Sequence, residues 1–166
     1  YRSYMSEFPP AVIGIAEILE AIAETRPDQE CLIFRDKRFT WNDINLRTRQ
    51  LANYLASEGL GCHTERDQLE GWRTGQDHLA IYLHNGNEYL ECMLGSWKAR
   101  VAPFNVNYRY VAEELQYLLT DSQASACVVH SRFAPLLAEV RTQLPKLRVI
   151  IQVPDDSGNE LLEGCL

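Results

Sequence analysis

Basic residues are scarce in this sequence and nowhere clustered: 16 Lys and Arg stand against 23 Asp and Glu, a formal net charge of −7. A protein that grips nucleic acid by neutralising phosphates needs a surplus of cations on one face, so that class is excluded and only a local basic patch remains open. An uninterrupted apolar run is missing as well. The stretch from Ala11 to Ala23 is broken by Glu17 and Glu20, which rules it out as a membrane span or a signal-peptide core. Self-sufficient catalytic signatures are also absent. There is no Gly-x-x-x-x-Gly-Lys-Ser/Thr loop, no Gly-x-Gly-x-x-Gly, no Gly-x-Ser-x-Gly, no Cys-x-x-Cys and no His-Glu-x-x-His. The five cysteines (Cys31, Cys62, Cys92, Cys127 and Cys165) are odd in number and widely spaced, and three lie in apolar runs where a thiol acts as a small hydrophobe. They point to a reducing compartment and a cytoplasmic protein.

What is present is the mix of one soluble globular domain: 166 residues, 46% hydrophobic, 23% charged and 10% aromatic. A chain of this length buries roughly two-thirds of its unfolded surface, so disordered and fibrous classes are out. Tyr1 to Tyr4 precede Met5 and read as a cloning remnant, leaving residues 5–166 as the folding unit.

The pattern opens with a helix from Val12 to Glu24, whose stripe is Val12, Ile15, Ala16, Leu19, Ile22 and Ala23, stopped by Pro27-Asp28. Cys31–Phe34 and Arg38–Thr40 then alternate as a hairpin about Asp36-Lys37. Thr40 and Asp43 have the spacing of a capping box for a helix with Ile44, Thr48, Leu51, Ala52 and Leu55 on one face, ended by Gly59. Cys62 to Asp77 is polar and without period, the mark of a long mobile surface loop. From Leu79 on, strand and helix alternate. Strands are expected at Leu79–Leu83, Val101–Phe104, Ala126–Val129 and Val149–Val153, and helices at Glu88–Ala99 (stripe Leu90, Met93, Leu94 and Trp97), Val111–Leu119 and Phe133–Leu144. Continuous apolar strands between amphipathic helices predict an α/β fold with a parallel βαβ-type sheet covered by helices.

Ligands of such sheets bind at the carboxyl ends of the strands. Three polar loops fall there: His84-Asn85-Gly86-Asn87, Asn105-Val106-Asn107-Tyr108-Arg109 and His130-Ser131-Arg132. Arg109 and Arg132 have the two-pronged geometry that suits phosphate oxygens, although solvated arginines in turns and helix caps explain the same residues. His84 and His130 would need a facing carboxylate or substrate to act as acid or base, and stay unassigned. Cys62-His63 and His78 could approach a metal, but their spacing fits no common zinc pattern and surface residues are the reading preferred. Trp41, Trp97 and Tyr117 are expected in the core, and Glu113-Glu114 in the first turn of a helix, where carboxylates suit the dipole.

In this order the segments resemble the N-terminal part of the adenylate-forming enzymes: acyl-CoA synthetases, luciferases and peptide-synthetase adenylation domains. Phe39-Thr40-Trp41-Asn42-Asp43-Ile44 is similar to the family's Thr-Tyr-x-Glu-Leu helix start, and Leu51-Ala52-x-x-Leu55 with Gly59 follows. Gly75-Gln76-Asp77-His78-Leu79-Ala80-Ile81 resembles the Gly-Asp-x-Val-Ala-Ile strand, continued by Asn85-Gly86-Asn87-Glu88-Tyr89. The run Lys98 to Asn105, with Asn107-Tyr108-Arg109, Glu113-Glu114-Leu115, Tyr117 and Leu119, resembles the Gly-Ala-x-x-x-Pro-Leu-Asn segment and its Glu-Leu helix. The wording is most similar to actinobacterial fatty-acyl and steroid-side-chain acyl-CoA synthetases. Arg100 stands where the family usually has Gly, and the Cys62–Gln76 loop is longer than in most members.

The resemblance implies an enzyme that activates a fatty or steroid-side-chain carboxylic acid with ATP and Mg²⁺ and passes the acyl group to CoA. It implies the N-terminal α/β subdomain, truncated ahead of the phosphate loop, the acidic Mg²⁺ ligand and the catalytic lysine, so no catalytic residue and no tight cofactor binding is expected in these residues. One site residue carries over: Arg109, in the position of an Asn-Pro-Arg arginine that contacts the nucleotide phosphate of CoA. Self-association, or capture of a complementary fragment, is expected through the severed surface. The rival reading is a stand-alone flavodoxin-like module that binds a small ligand or a partner.

Overall fold

The computed structural model describes residues 13–166; Val12 and the supposed remnant at Tyr1–Tyr4 lie outside them. Helix α1 (Ile15–Thr25) leads to an antiparallel hairpin, β1 (Glu30–Phe34) and β2 (Lys37–Thr40), and then to α2 (Trp41–Ser57). Next come β3 (His78–Tyr82), α3 (Asn87–Lys98), β4 (Ala102–Asn105), α4 (Ala112–Asp121), β5 (Ala124–His130), α5 (Ala134–Arg141) and β6 (Val149–Val153). The last four strands form one parallel sheet in the order β4-β3-β5-β6.

The pleat explains the two-sided core. Leu79, Ile81 and Leu83 pack with Ala126 and Val128 on one face, against Leu55 and Cys92 of α2 and α3. Ala80 and Tyr82 pack with Cys127 and Val129 on the other, against Leu115, Leu119, Leu137 and Val140 of α4 and α5. Strand residues of both parities are therefore apolar, as a sheet covered on both faces requires. Tyr82 is fully buried, and its hydroxyl has no hydrogen-bond partner among the described residues. Burial pushes the thiols of Cys92, to about 12, and Cys127 upward, so both stay protonated hydrophobes.

Helix α2 begins with the expected capping box: the Asp43 amide donates to Thr40 Oγ1 (3.1 Å), and the Thr40 amide to Asp43 Oδ2 (2.9 Å). It ends where the chain needs a left-handed residue, supplied by Gly59 at φ +72°. Lys98, whose side chain is 7% exposed, binds Glu20 of α1 and Asn45 of α2 and so joins three helices. The hydrogen bonds from Arg49 and Lys98 hold the Glu20 carboxyl at about 2.

Several expectations are corrected. Tyr117 is 71% exposed rather than core, and Ile15 (54%) and Leu90 (38%) face solvent although their spacing put them on apolar stripes. Trp41 and Trp97 are half-buried. The hairpin turns at Arg35-Asp36, with Arg35 at φ +55°, one residue before the expected place. The helix expected over Phe133–Leu144 is a 3-10 turn at Ser131–Phe133 followed by α5.

The segment 62–77 is also more fixed than its composition suggests. A β-bridge joins Cys62 to Gln76, the His63 amide donates to the Gly75 carbonyl (2.7 Å), and Arg100 grips Glu65 with two hydrogen bonds (2.8 and 2.7 Å). The two limbs meet so closely that a Cβ at Gly75 would lie 2.0 Å from the Thr64 carbonyl oxygen. Gly75→Ala should therefore cost about 1–3 kcal/mol of stability through forced backbone displacement. Urea denaturation checks it, and an unchanged midpoint would mean that the loop is not held as described.

Candidate functional site at the carboxyl edge of the sheet

Strand order reverses between β3 and β5: the chain runs from β3 outward to β4 and then crosses to β5 on the other side. At such a switch point the loops leaving adjacent strands diverge and open a crevice. Here β3 delivers His84 and β5 delivers His130, and the His84 amide donates to His130 Nδ1 at 3.0 Å. His84 lies 4.6 Å from the Tyr108 ring and 4.9 Å from Phe133, and Phe133 stacks on Tyr82 at 4.7 Å. Residues from three loops thus form one aromatic wall.

The hydrogen bond settles the state of His130. Nδ1 must keep its lone pair, so the neutral ring carries its proton on Nε2. Burial, partly opposed by the field of Asp155, holds its pKa below the ordinary 6.5. Neither His84 nor His130 forms a salt bridge among the described residues.

The two arginines part company. Arg132 is taken: its amide (3.0 Å) and Nε (3.3 Å) donate to Asp155, and its guanidinium also pairs with Asp156. Burial disfavours the Asp155 anion, but hydrogen bonds from Ser157 and Arg132 outweigh it and hold that carboxyl at about 2. Arg109 makes no salt bridge among the described residues. Its amide donates to Asn107 Oδ1 (3.0 Å), and its guanidinium stands 5.5 Å from the centre of the Tyr108 ring, open to an anion. Asp155 and Asp156 escaped the sequence reading, although an Asp-Asp pair two residues past a strand end was a signal available.

The other residues named from sequence do not converge. His63 bonds Asp77 (2.6 Å), and His78 donates its Nδ1 proton to the Ser122 carbonyl. Among the described residues no group of three or more His, Cys, Asp or Glu could hold a metal ion. Glu114 accepts the Val111 amide (3.2 Å) and caps α4, in keeping with its place in the first turn.

The sequence pattern of the AMP-binding enzymes matches residues 19–164. The chain belongs to that family. It is 52% identical over 152 residues to the medium-chain acyl-CoA ligase Mig of Mycobacterium avium, covering 92% of this chain and 28% of that protein. It is 30% identical over 148 residues to a medium/long-chain-fatty-acid and 3-oxocholest-4-en-26-oate CoA ligase of Mycobacterium marinum, covering 89% and 24%. The fold is that of acetoacetyl-CoA synthetase from Streptomyces lividans, with a TM-score of 0.74 at 21% identity over 91% of this chain and 23% of that one. The chain thus spans about a quarter of the length of these relatives. The expected family and α/β fold are borne out, and the stand-alone flavodoxin-like module is not favoured.

Because the folded-state pKa of His130 is depressed, folding leaves fewer protons on the ring than unfolding does below pH about 6.5. Its contribution to stability is complete above that pH and falls as pH drops towards the folded value. His130→Gln, which keeps an acceptor for the His84 amide but cannot titrate, should lose less stability than wild type between pH 7 and 5. Denaturation at both pH values checks this, and equal losses would contradict the assignment.

Proposed function

We propose that residues 5–166 form the N-terminal scaffold of an ATP-dependent acyl-CoA synthetase acting on a fatty or steroid-side-chain acid. The observation that carries this reading is the 52% identity to an acyl-CoA ligase over 92% of the chain. A carboxylate is a poor electrophile until its oxygen is joined to a good leaving group. Attack on the α-phosphorus of ATP expels pyrophosphate and gives acyl-AMP, and the CoA thiol then displaces AMP.

On this reading adenylation belongs to other parts of the enzyme: the sequence has no Gly-x-x-x-x-Gly-Lys-Ser/Thr loop, and among the described residues no group of three or more His, Cys, Asp or Glu is placed to hold Mg²⁺. What the segment contributes is an anion contact on the thiol side of the reaction: Arg109, beside Tyr108 and without a salt bridge among the described residues, receives the nucleotide phosphate of CoA. The cytoplasm is the compartment that suits five thiols, and no helix among the described residues is long and apolar enough to cross a membrane. The exposed apolar residues Val111 (55%), Tyr117 (71%) and Tyr108 (42%) support association of the isolated chain with itself or with the remainder of the enzyme.

Two experiments test the proposal. In the enzyme at the full length of its relatives, Arg109→Ala should raise the apparent CoA constant about tenfold, the worth of one charge-assisted bond, while leaving those for ATP and acid nearly unchanged. An unchanged CoA constant would remove the assignment. Sedimentation velocity of the purified chain should show mass rising with concentration, and a clean monomer at high concentration would refute the association.

A further inference from the structure

The opposite edge of the sheet holds a second polar site. At the amino ends of β3, β5 and β6 lies a cleft of about 380 Å³ whose walls include Gln76, His78, Gln123, Ser125, Lys146 and Arg148. Asp77 forms its floor. That carboxylate, 12% exposed, accepts from the Gly61 amide (3.1 Å), Ser125 Oγ (2.7 Å) and His63 Nε2 (2.6 Å). These bonds outweigh the cost of burial and hold its pKa below the ordinary value. Arg148, half-exposed, pairs with Asp77 Oδ1 at 3.5 Å, the longest of the four contacts to this carboxylate. Lys146 donates only to the neutral amide of Gln123 (3.0 Å) and has no carboxylate partner among the described residues. Two cations therefore line one cleft with a single carboxylate between them, and the half-exposed Arg148 keeps further N–H donors beyond its one long contact.

The backbone bears a cost to build this wall. Gln123 follows α4 at φ +52°, a left-handed position that glycine fills at lowest energy, and its side chain is the group that positions Lys146. The lining excludes some ligands. It contains amides, hydroxyls and an imidazole but no benzene or indole face, so it has little to stack on a base, and Pro145 is the one apolar residue among those lining it. The volume falls in the range of small-molecule sites.

We propose that this cleft binds a hydroxyl-bearing phosphomonoester of sugar-phosphate size, its phosphate held by Arg148 and Lys146 and its hydroxyls by Gln76, Gln123 and the rim of Ser125. The site is separate from the carboxyl-edge crevice by the five-residue length of β3, about 16 Å at ~3.3 Å per residue, and does not depend on the function proposed above.

Glycerol 3-phosphate is titrated into the ¹⁵N-labelled chain at fixed ionic strength, with inorganic phosphate, AMP and chloride as comparisons. Saturable shifts are expected at the amides of His78, Gln123 and Ser125. Arg148→Gln should weaken binding about tenfold, and Lys146→Gln, which removes only a bond to a neutral amide, should weaken it measurably with the spectrum otherwise intact. Arg109→Gln, at the other edge, should leave it unchanged. Shifts reproduced by chloride, shifts centred on Arg109, AMP binding more tightly than glycerol 3-phosphate, or affinity untouched in both cleft variants would each overturn the proposal.

Discussion

The parallel pairing of β3 with β4 and β5 is the constraint from which the rest of the structure follows. Parallel neighbours cannot be joined by a tight turn, so each connection crosses a face of the sheet as a helix, and the strands beneath must be apolar on both sides. That requirement sets the near-continuous burial of Leu79–Leu83 and Ala124–Val129 and the two helical layers, and it leaves the loops at the strand ends as the place where polar groups gather. It also divides the edges by role. The carboxyl edge gathers an aromatic wall and an arginine, Arg109, that forms no salt bridge among the described residues, and the amino edge gathers a well-bonded carboxylate with Arg148 and Lys146 beside it.

Two left-handed residues show how the amino edge is fastened. Arg100 and Gln123 follow α3 and α4 at φ +58° and +52°, where glycine would be free of strain. Each instead carries a long polar side chain across the edge: Arg100 to Glu65, which pins the segment 62–77, and Gln123 to Lys146.

The alternation of strand and helix was legible because full burial leaves apolar runs that little else explains, and the Thr40–Asp43 cap was legible because its partners are three residues apart. The failures share a cause. Tyr117, Ile15 and Leu90 sit at helical spacings that mark a stripe without saying how far the neighbouring elements cover it. Arg109 and Arg132 look alike in sequence, and only the fold shows that Asp155 and Asp156 consume the second. The pairing of His84 with His130, and the gathering of Asp77, Ser125 and Arg148, join residues 46 to 71 positions apart, which no local pattern encodes.

The central claim is that this segment supplies scaffold and a thiol-side anion contact, while the chemistry of adenylation resides elsewhere in the enzyme. Acid-dependent ATP–pyrophosphate exchange by the purified 166-residue chain tests it most directly. The account predicts no exchange with any fatty or steroid acid, and exchange above background would place the adenylating groups among the residues described here as scaffold.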